Sequence, residues 1–197
     1  MSTEMKMCEV PFVGDTMPKL RAAAVQTSPV FLNREATVEK MGVKVKEAKE
    51  NGADIVVFPE SFVPTFPLWC LFIPPVDQHP FYKRLFENAV AVPSPAFYRI
   101  ARIARENKIF LSVGICEKSN DTFGTMWNSN LLFDREGNLI GHHRKLLPTW
   151  GEKLVWSFGD GSTLNVHDTE IGRIGALICG ENSNTLARYS LVAQGEQ

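Results

Sequence analysis

The order of three segments near the start constrains this chain most. Leu20-Arg-Ala-Ala-Ala-Val-Gln26 is a short, largely apolar run that reads as a strand. Asn33 then caps a helix running to about Glu50, with Val38, Met41, Val45 and Ala48 on one face, and Asn51-Gly52 stops it. Ala53-Asp-Ile-Val-Val-Phe58 follows, apolar enough to lie in a sheet covered on both faces, and it runs out into Pro59-Glu60. Strand, helix, strand is a βαβ unit, which commits the chain to an α/β sheet.

Downstream, residues 62–93 break the pattern. Phe62 to Ile73 is apolar and aromatic, but Pro64, Pro67, Pro74 and Pro75 exclude a regular helix or a central strand. A long loop with a short helix near Phe81–Ala89 is expected. Its aromatic side chains suit a pocket wall, and equally a subunit contact or a core cover. Ser94-Pro95 starts the next helix, to about Asn107, burying Phe97, Ile100, Ala101 and Ala104. Ile109–Cys116 is a further strand. Trp127–Phe133 and Asn138–His143 are two more, around the turn Asp134-Arg-Glu-Gly137, and Lys145 lies just past the second. Pro148–Gly161 is a loop containing Trp150, Glu152 and Trp156. Leu164–Asp168 and Ile174–Ile178 read as strands around Glu170-Ile-Gly172. Residues 1–19, broken by Pro11, Gly14 and Pro18, form an irregular leader, and 20–197 form one domain with no internal boundary.

The second apolar run ends at Cys179. Gly-Glu-Asn-Ser-Asn follows at once, and then Thr185 to Gln194, a helical pattern with Leu186, Tyr189 and Ala193 at spacings of three and four. Asn182, Ser183 or Asn184 suits the cap. A cysteine at a sharp strand-to-helix turn is held clear of the sheet, where backbone N–H groups and the helix dipole favour its thiolate. On this stretch alone a buried structural cysteine fits equally well, since free cysteine is among the most buried residue types.

Composition narrows the partners. A formal net charge of −1, with Lys and Arg dispersed, makes no case for nucleic acid or an anionic membrane. No apolar run reaches about 18 residues and the N-terminus has no apolar signal core, so a cytosolic protein is expected. The cysteines at 8, 70, 116 and 179 have no paired metal spacing, and a reducing compartment argues against disulfides. The four histidines form no metal-ligand pattern.

Glu60, Lys145 and Cys179 each sit just beyond the carboxyl end of an expected strand, the side of an α/β sheet where ligands bind. A lone glutamate or lysine there is ordinarily a solvated surface residue. Only the combination of thiol, carboxylate and ammonium at one edge points to a reactive site.

These residues sit in segments that resemble the signatures of a known superfamily. Phe58-Pro-Glu60, His143-Arg-Lys145-Leu-Leu-Pro-Thr149 and Cys179-Gly-Glu181-Asn182 look like the three signature segments of the nitrilase superfamily of carbon–nitrogen hydrolases. Asp134 to Lys145 and Trp156 to Ser162 are similar to the nitrilase branch more than to the amidase or carbamoylase branches. The resemblance runs from about residue 20 to the end. It implies a four-layer αββα sandwich, usually paired into homo-oligomers or spirals. Members run on well past the helix after the cysteine, so it also implies that the C-terminal part of the sandwich is missing from a chain ending at Gln197. By position, Cys179 is implied as nucleophile, Glu60 as general base, Lys145 as transition-state stabiliser and Glu152 as a second, positioning glutamate. Gly180, Glu181, Asn182 and Trp150 are implied to border the substrate and its oxyanion. Gly180 stands where nitrilases most often carry an aromatic, which bears on substrate preference. The implied reaction is hydrolysis of a small-molecule nitrile to acid and ammonia, with no metal or organic cofactor. The aromatic stretch and Trp127, Trp150 and Trp156 mildly favour an apolar or aryl nitrile, and core packing explains them equally. The competing readings are an amidase or cyanide-converting relative, and an inactive chain that only associates with full-length subunits.

Overall fold

Loops at one side of a mixed sheet carry the site, and two helices back the sheet from the other face in the computed structural model, which describes residues 19–197. All of the expected leader but its last residue lies outside the described residues.

The βαβ unit forms as expected. Strand β1 (Ala22–Ala24) pairs in parallel with β2 (Ile55–Val57), Ala23 opposite Val56, and α1 (Arg34–Glu50) crosses between them. The Asn33 side chain accepts from the Ala36 N–H at 3.1 Å, and Gly52, at φ 78°, turns the chain out of the helix. Helix α2 (His79–Asn88) interrupts the proline-rich loop and leads to β3 (Val90–Ala91). Ser94 caps α3 (Pro95–Asn107), accepting from the Phe97 N–H at 3.2 Å. Strands β4 (Phe110–Lys118), β5 (Met126–Phe133) and β6 (Leu139–Arg144) then form an antiparallel meander. The sheet runs β1-β2-β4-β5-β6, with β3 beside the end of β4.

Side-chain alternation along β4 sorts the two faces. Leu111, Val113 and Ile115 pack with Val38, Met41 and Val45 of α1 and Ile100 and Ala104 of α3. Ser112 and Gly114 look the other way. That second face is partly covered by the hairpin of β7 (His167–Thr169) and β8 (Gly172–Ile174), whose Ile171 and Ile174 pack on Ile55, Phe110 and Leu132. Helix α4 (Thr185–Ala193) closes the order helix, sheet, strand pair, helix, the αββα layering expected. Its Gln194 side chain is hydrogen-bonded to Val166 and Leu164 beside the hairpin. No helix among the described residues is long and apolar enough to cross a membrane.

Three expectations change. Both faces of Ala53–Phe58 are not closed: Val57 is 39% exposed, because the hairpin stops short of it and leaves it on a cleft wall. The strands expected at Leu164–Asp168 and Ile174–Ile178 shorten to β7 and β8. Residues 175–178 have no ladder partner among the described residues, and apolar character alone cannot make a strand without one. Helix α4 buries Ala187 and Leu191 and leaves Leu186 and Tyr189 exposed, a face offset from the larger apolar residues.

One polar cluster stitches the meander from the helix side. Buried Glu117 of β4 accepts from the Ser129 hydroxyl at 2.6 Å and contacts His142 Nε2 at 2.7 Å, and the Arg144 guanidinium binds it while lying 3.8 Å over the Trp127 ring. Burial alone pushes the Glu117 carboxyl up, but the bonds from His142, Arg144 and Ser129 prevail and take it from 4.5 to about 2. The folded chain therefore holds this proton less tightly than the unfolded one. Its stabilising contribution is expected to be present above pH 4.5 and to be lost as pH falls towards about 2. In Glu117→Gln, measured by thermal unfolding against pH, that acid loss should be smaller than in the parent chain.

Candidate active site

Each reacting side chain is aimed by its own local device. Glu60 follows β2 on a loop sewn across β4: Phe58 N–H donates to Ser112 O at 2.9 Å, and Val63 N–H to Gly114 O at 3.2 Å. The crossing needs a glycine beneath it. A Cβ on Gly114 would stand 2.3 Å from Pro59 O and 2.5 Å from Glu60 Cα. Lys145 continues β6, its N–H donating to Asn128 O at 2.8 Å, while Gly159 N–H donates to its carbonyl at 2.9 Å. Glu152 lies on the short 3-10 turn Trp150–Leu154, where its carboxylate accepts from the Thr149 N–H at 2.8 Å in a capping box. Cys179 opens another 3-10 turn, Cys179–Ser183, in the left-handed region at φ 52°. Asn184 then caps α4, accepting from Leu186 and Ala187.

Convergence is what the sequence left open, and the chain achieves it. Lys145 is 1% exposed; its Nζ lies 2.8 Å from Glu152 Oε2 and 3.4 Å from Glu60 Oε2. Burial alone would lower the Lys145 ammonium, but Glu152 first, then Glu60 and Cys179, outweigh it and hold it above its ordinary value. Cys179 and Glu60 line the same cleft, close enough for the Glu60 charge to act on the thiol. Asn128, which sequence reasoning passed over, donates from Nδ2 to Glu60 Oε2 at 2.9 Å. It is a buried amide on β5, and only pairing of β4, β5 and β6 brings it there.

The thiolate expectation is corrected. The Cys179 thiol is pushed above its ordinary value, by burial first and then by the Glu60 charge; Lys145 and the Gly180 N–H pull the other way without prevailing. A thiol shifted in that direction keeps its proton near neutral pH.

Cys179, Glu60 and Asn182 border a cleft of about 330 Å³ whose inner wall includes Val57, Leu132 and Ile174. A cavity of about 390 Å³ between β1 and α1 is larger but lined by Arg21, Lys44 and Glu47, with no nucleophile. Among the described residues no cluster of His, Cys, Asp and Glu is placed to hold a metal ion. Gly180 is exposed beside the sulfur but does not line the cleft, and a Cβ there would meet only Thr149 Oγ1, at 3.4 Å. Two further neighbours do not face the cleft. Trp150 is 86% exposed and does not line it. Glu181 is buried beneath the nucleophile's turn, because its carboxylate is taken up by backbone N–H groups of two loops. No residue of the aromatic stretch 62–73 lines this cleft. Trp69 and Trp156 are core residues, Trp69 stacked on Phe81 at 5.4 Å and Trp156 donating to Cys116 Sγ at 3.2 Å. Trp127 lies under Arg144.

Residues 21–197 match the carbon–nitrogen hydrolase family. The chain belongs to that family. It is 43% identical over 183 residues to "Nitrilase 3" of an unknown prokaryotic organism, covering 92% of this chain and 54% of that protein. It is 37% identical over 190 residues to the "Bifunctional nitrilase/nitrile hydratase NIT4B" of Nicotiana tabacum, covering 93% and 54%. The chain thus spans about half the length of the curated relatives it matches. Among solved structures it resembles a mutant of the amidase from Nesterenkonia sp. AN1, described as showing the result of Michael addition of acrylamide at the active site cysteine. The TM-score is 0.70 at 18% identity, over 91% of this chain and 65% of that one. At that identity the likeness speaks to the carbon–nitrogen hydrolase fold.

Lys145 is the cation between two carboxylates, so removing it leaves Glu152 buried with an uncompensated charge. Lys145→Met is expected to lower stability by about 3–5 kcal/mol. Adding Glu152→Gln should recover much of that loss, read by chemical denaturation of both variants.

Proposed function

We propose that this chain carries the reacting groups of a nitrilase: a small organic nitrile and two waters give a carboxylic acid and ammonia. The observation that carries the reading is Glu60, which lies 3.4 Å from the Lys145 ammonium and borders the same cleft as Cys179. The relatives' printed names support nitrile as the substrate class, and the amidase's active-site cysteine supports a sulfur nucleophile.

Cys179 Sγ attacks the nitrile carbon as Glu60 takes its proton, and the nitrogen is protonated to leave a thioimidate. Lys145 offsets the negative charge that builds on attack. Glu60 then draws a proton from water, which adds to the same carbon. Loss of ammonia leaves a thioester, and a second water releases the acid and restores the thiol. If the tetrahedral intermediate expels sulfur instead of ammonia, the product is the amide. The "nitrilase/nitrile hydratase" names among the relatives favour that branch as a second reading. Glu152 positions Lys145, and Gly180 and Asn182 border the reacting carbon. The chain acts in the cytosol as a homo-oligomer.

Intact-mass spectrometry during turnover of a nitrile panel tests this. A transient adduct on Cys179 is expected, together with ammonia in solution. Cys179→Ala should lose both, while Cys70→Ala and Cys116→Ala keep them, because burial pushes those thiols to about 11 and about 12 and neither touches Glu60. Normal turnover by Cys179→Ala, or ammonia released from amides and not from nitriles, would overturn the reading.

A further inference from the structure

Glu181 is buried two residues after Cys179, and both oxygens of its carboxylate are taken. One accepts from the Ile178 N–H at 2.8 Å; the other accepts from the Leu146 N–H at 2.7 Å. Those amides belong to the residue just before Cys179 and the residue just after Lys145. The same carboxylate meets His143 Nε2 at 3.0 and 3.1 Å. His143 and Lys145 are two apart along β6, so strand alternation puts both on one face. His143 Nδ1 is held in turn by Thr163 Oγ1 at 2.8 Å. Burial alone would push the Glu181 carboxyl up, yet His143 and the two amides hold it below its ordinary value, as a carboxylate with every partner in place would be.

We propose that the His143–Glu181 contact is a cross-tie that sets the spacing between Cys179 and Lys145, making both residues positioning residues for the reaction read above. It joins the two loops directly at the reacting residues, with no flexible stretch between. Cys179 sits in the left-handed region, φ 52°, which a residue with a Cβ keeps only when its surroundings fix it. The Glu181 bond to the Ile178 N–H does so on the nucleophile's N-terminal side. A change of about 1 Å in such a placement costs on the order of a hundredfold in rate.

Two conservative variants separate positioning from bulk support. A glutamine at 143 carries an amide N–H about where Nε2 stands and keeps the bond to Glu181; an asparagine reaches only as far as Nδ1 and keeps Thr163 alone. The first readout is the rate of Cys179 alkylation by iodoacetamide near neutral pH, mapped by peptide mass. His143→Gln should stay within about threefold of the parent chain, and His143→Asn should fall about tenfold or more. In nitrile turnover the same loss should appear in kcat, with KM changed by less than about threefold. Glu181→Gln should lose a similar factor, and Glu181→Gln with His143→Asn should lose no more than either alone. Parent-like alkylation in His143→Asn, losses that multiply in the double variant, or a His143→Asn chain that does not fold would each overturn the proposal. Alkylation needs no nitrile. A parent chain that alkylates at Cys179 but hydrolyses no nitrile therefore refutes the nitrilase reading alone.

Discussion

One buried ammonium between two carboxylates determines how the rest of the site is arranged. Lys145 is buried, and Glu152 at 2.8 Å and Glu60 at 3.4 Å hold its ammonium above its ordinary value against the cost of that burial. The three residues come from three loops. Holding them together requires the Glu60 loop to cross β4 at Gly114, β6 to pair with β5, and the capping box at Thr149 to aim Glu152. The polar geometry thus fixes loop placement as firmly as the apolar core fixes the sheet.

The protonated sulfur follows from the same arrangement. A cysteine activated only by a helix terminus and a nearby cation would rest as thiolate and need no base. Here burial and the Glu60 charge keep the proton on sulfur despite Lys145 and the Gly180 N–H.

Elements whose signals are local were legible in the sequence. Asn33 and Ser94-Pro95 cap their helices by bonds within three residues, and Asp134 to Gly137 turns as its residue types require. Elements that depend on distant partners were not. Ile174–Ile178 has strand composition, but its last four residues find no ladder. Helix α4 turns Ala187 and Leu191 inward, Leu191 lying close to Gly175, and leaves Leu186 and Tyr189 exposed, a choice absent from its own spacing. The aromatic stretch after Glu60 could wall a pocket, meet a subunit or cover the core; Trp69, Cys70 and Phe66 pack in the core while Leu68 and Phe72 stay exposed. At the site, Glu60, Lys145, Glu152 and Cys179 were legible from motif resemblance; Asn128, a polar residue in a mostly apolar strand, gave no signal before its neighbours were placed.

The short motifs share a construction that explains their fixed internal spacing. In each, a residue tied into the protein stands two positions from one of the three candidate residues Glu60, Lys145 and Cys179. Phe58 is buried against Phe62 at 4.9 Å, and Glu60 follows it. His143 is held at both ring nitrogens, and Lys145 follows it. Glu181 is locked to two amides, and Cys179 precedes it. In an extended segment a two-residue offset returns the side chain to the same face, which serves Lys145 beside His143. In the tight turn at Cys179 the same offset sends the two side chains apart, the sulfur to the cleft and the carboxylate beneath it. Inserting or deleting one residue between anchor and reacting group would therefore misaim the reacting group even where the chain still folds, so the spacing within each motif is as much a part of the site as the residues themselves.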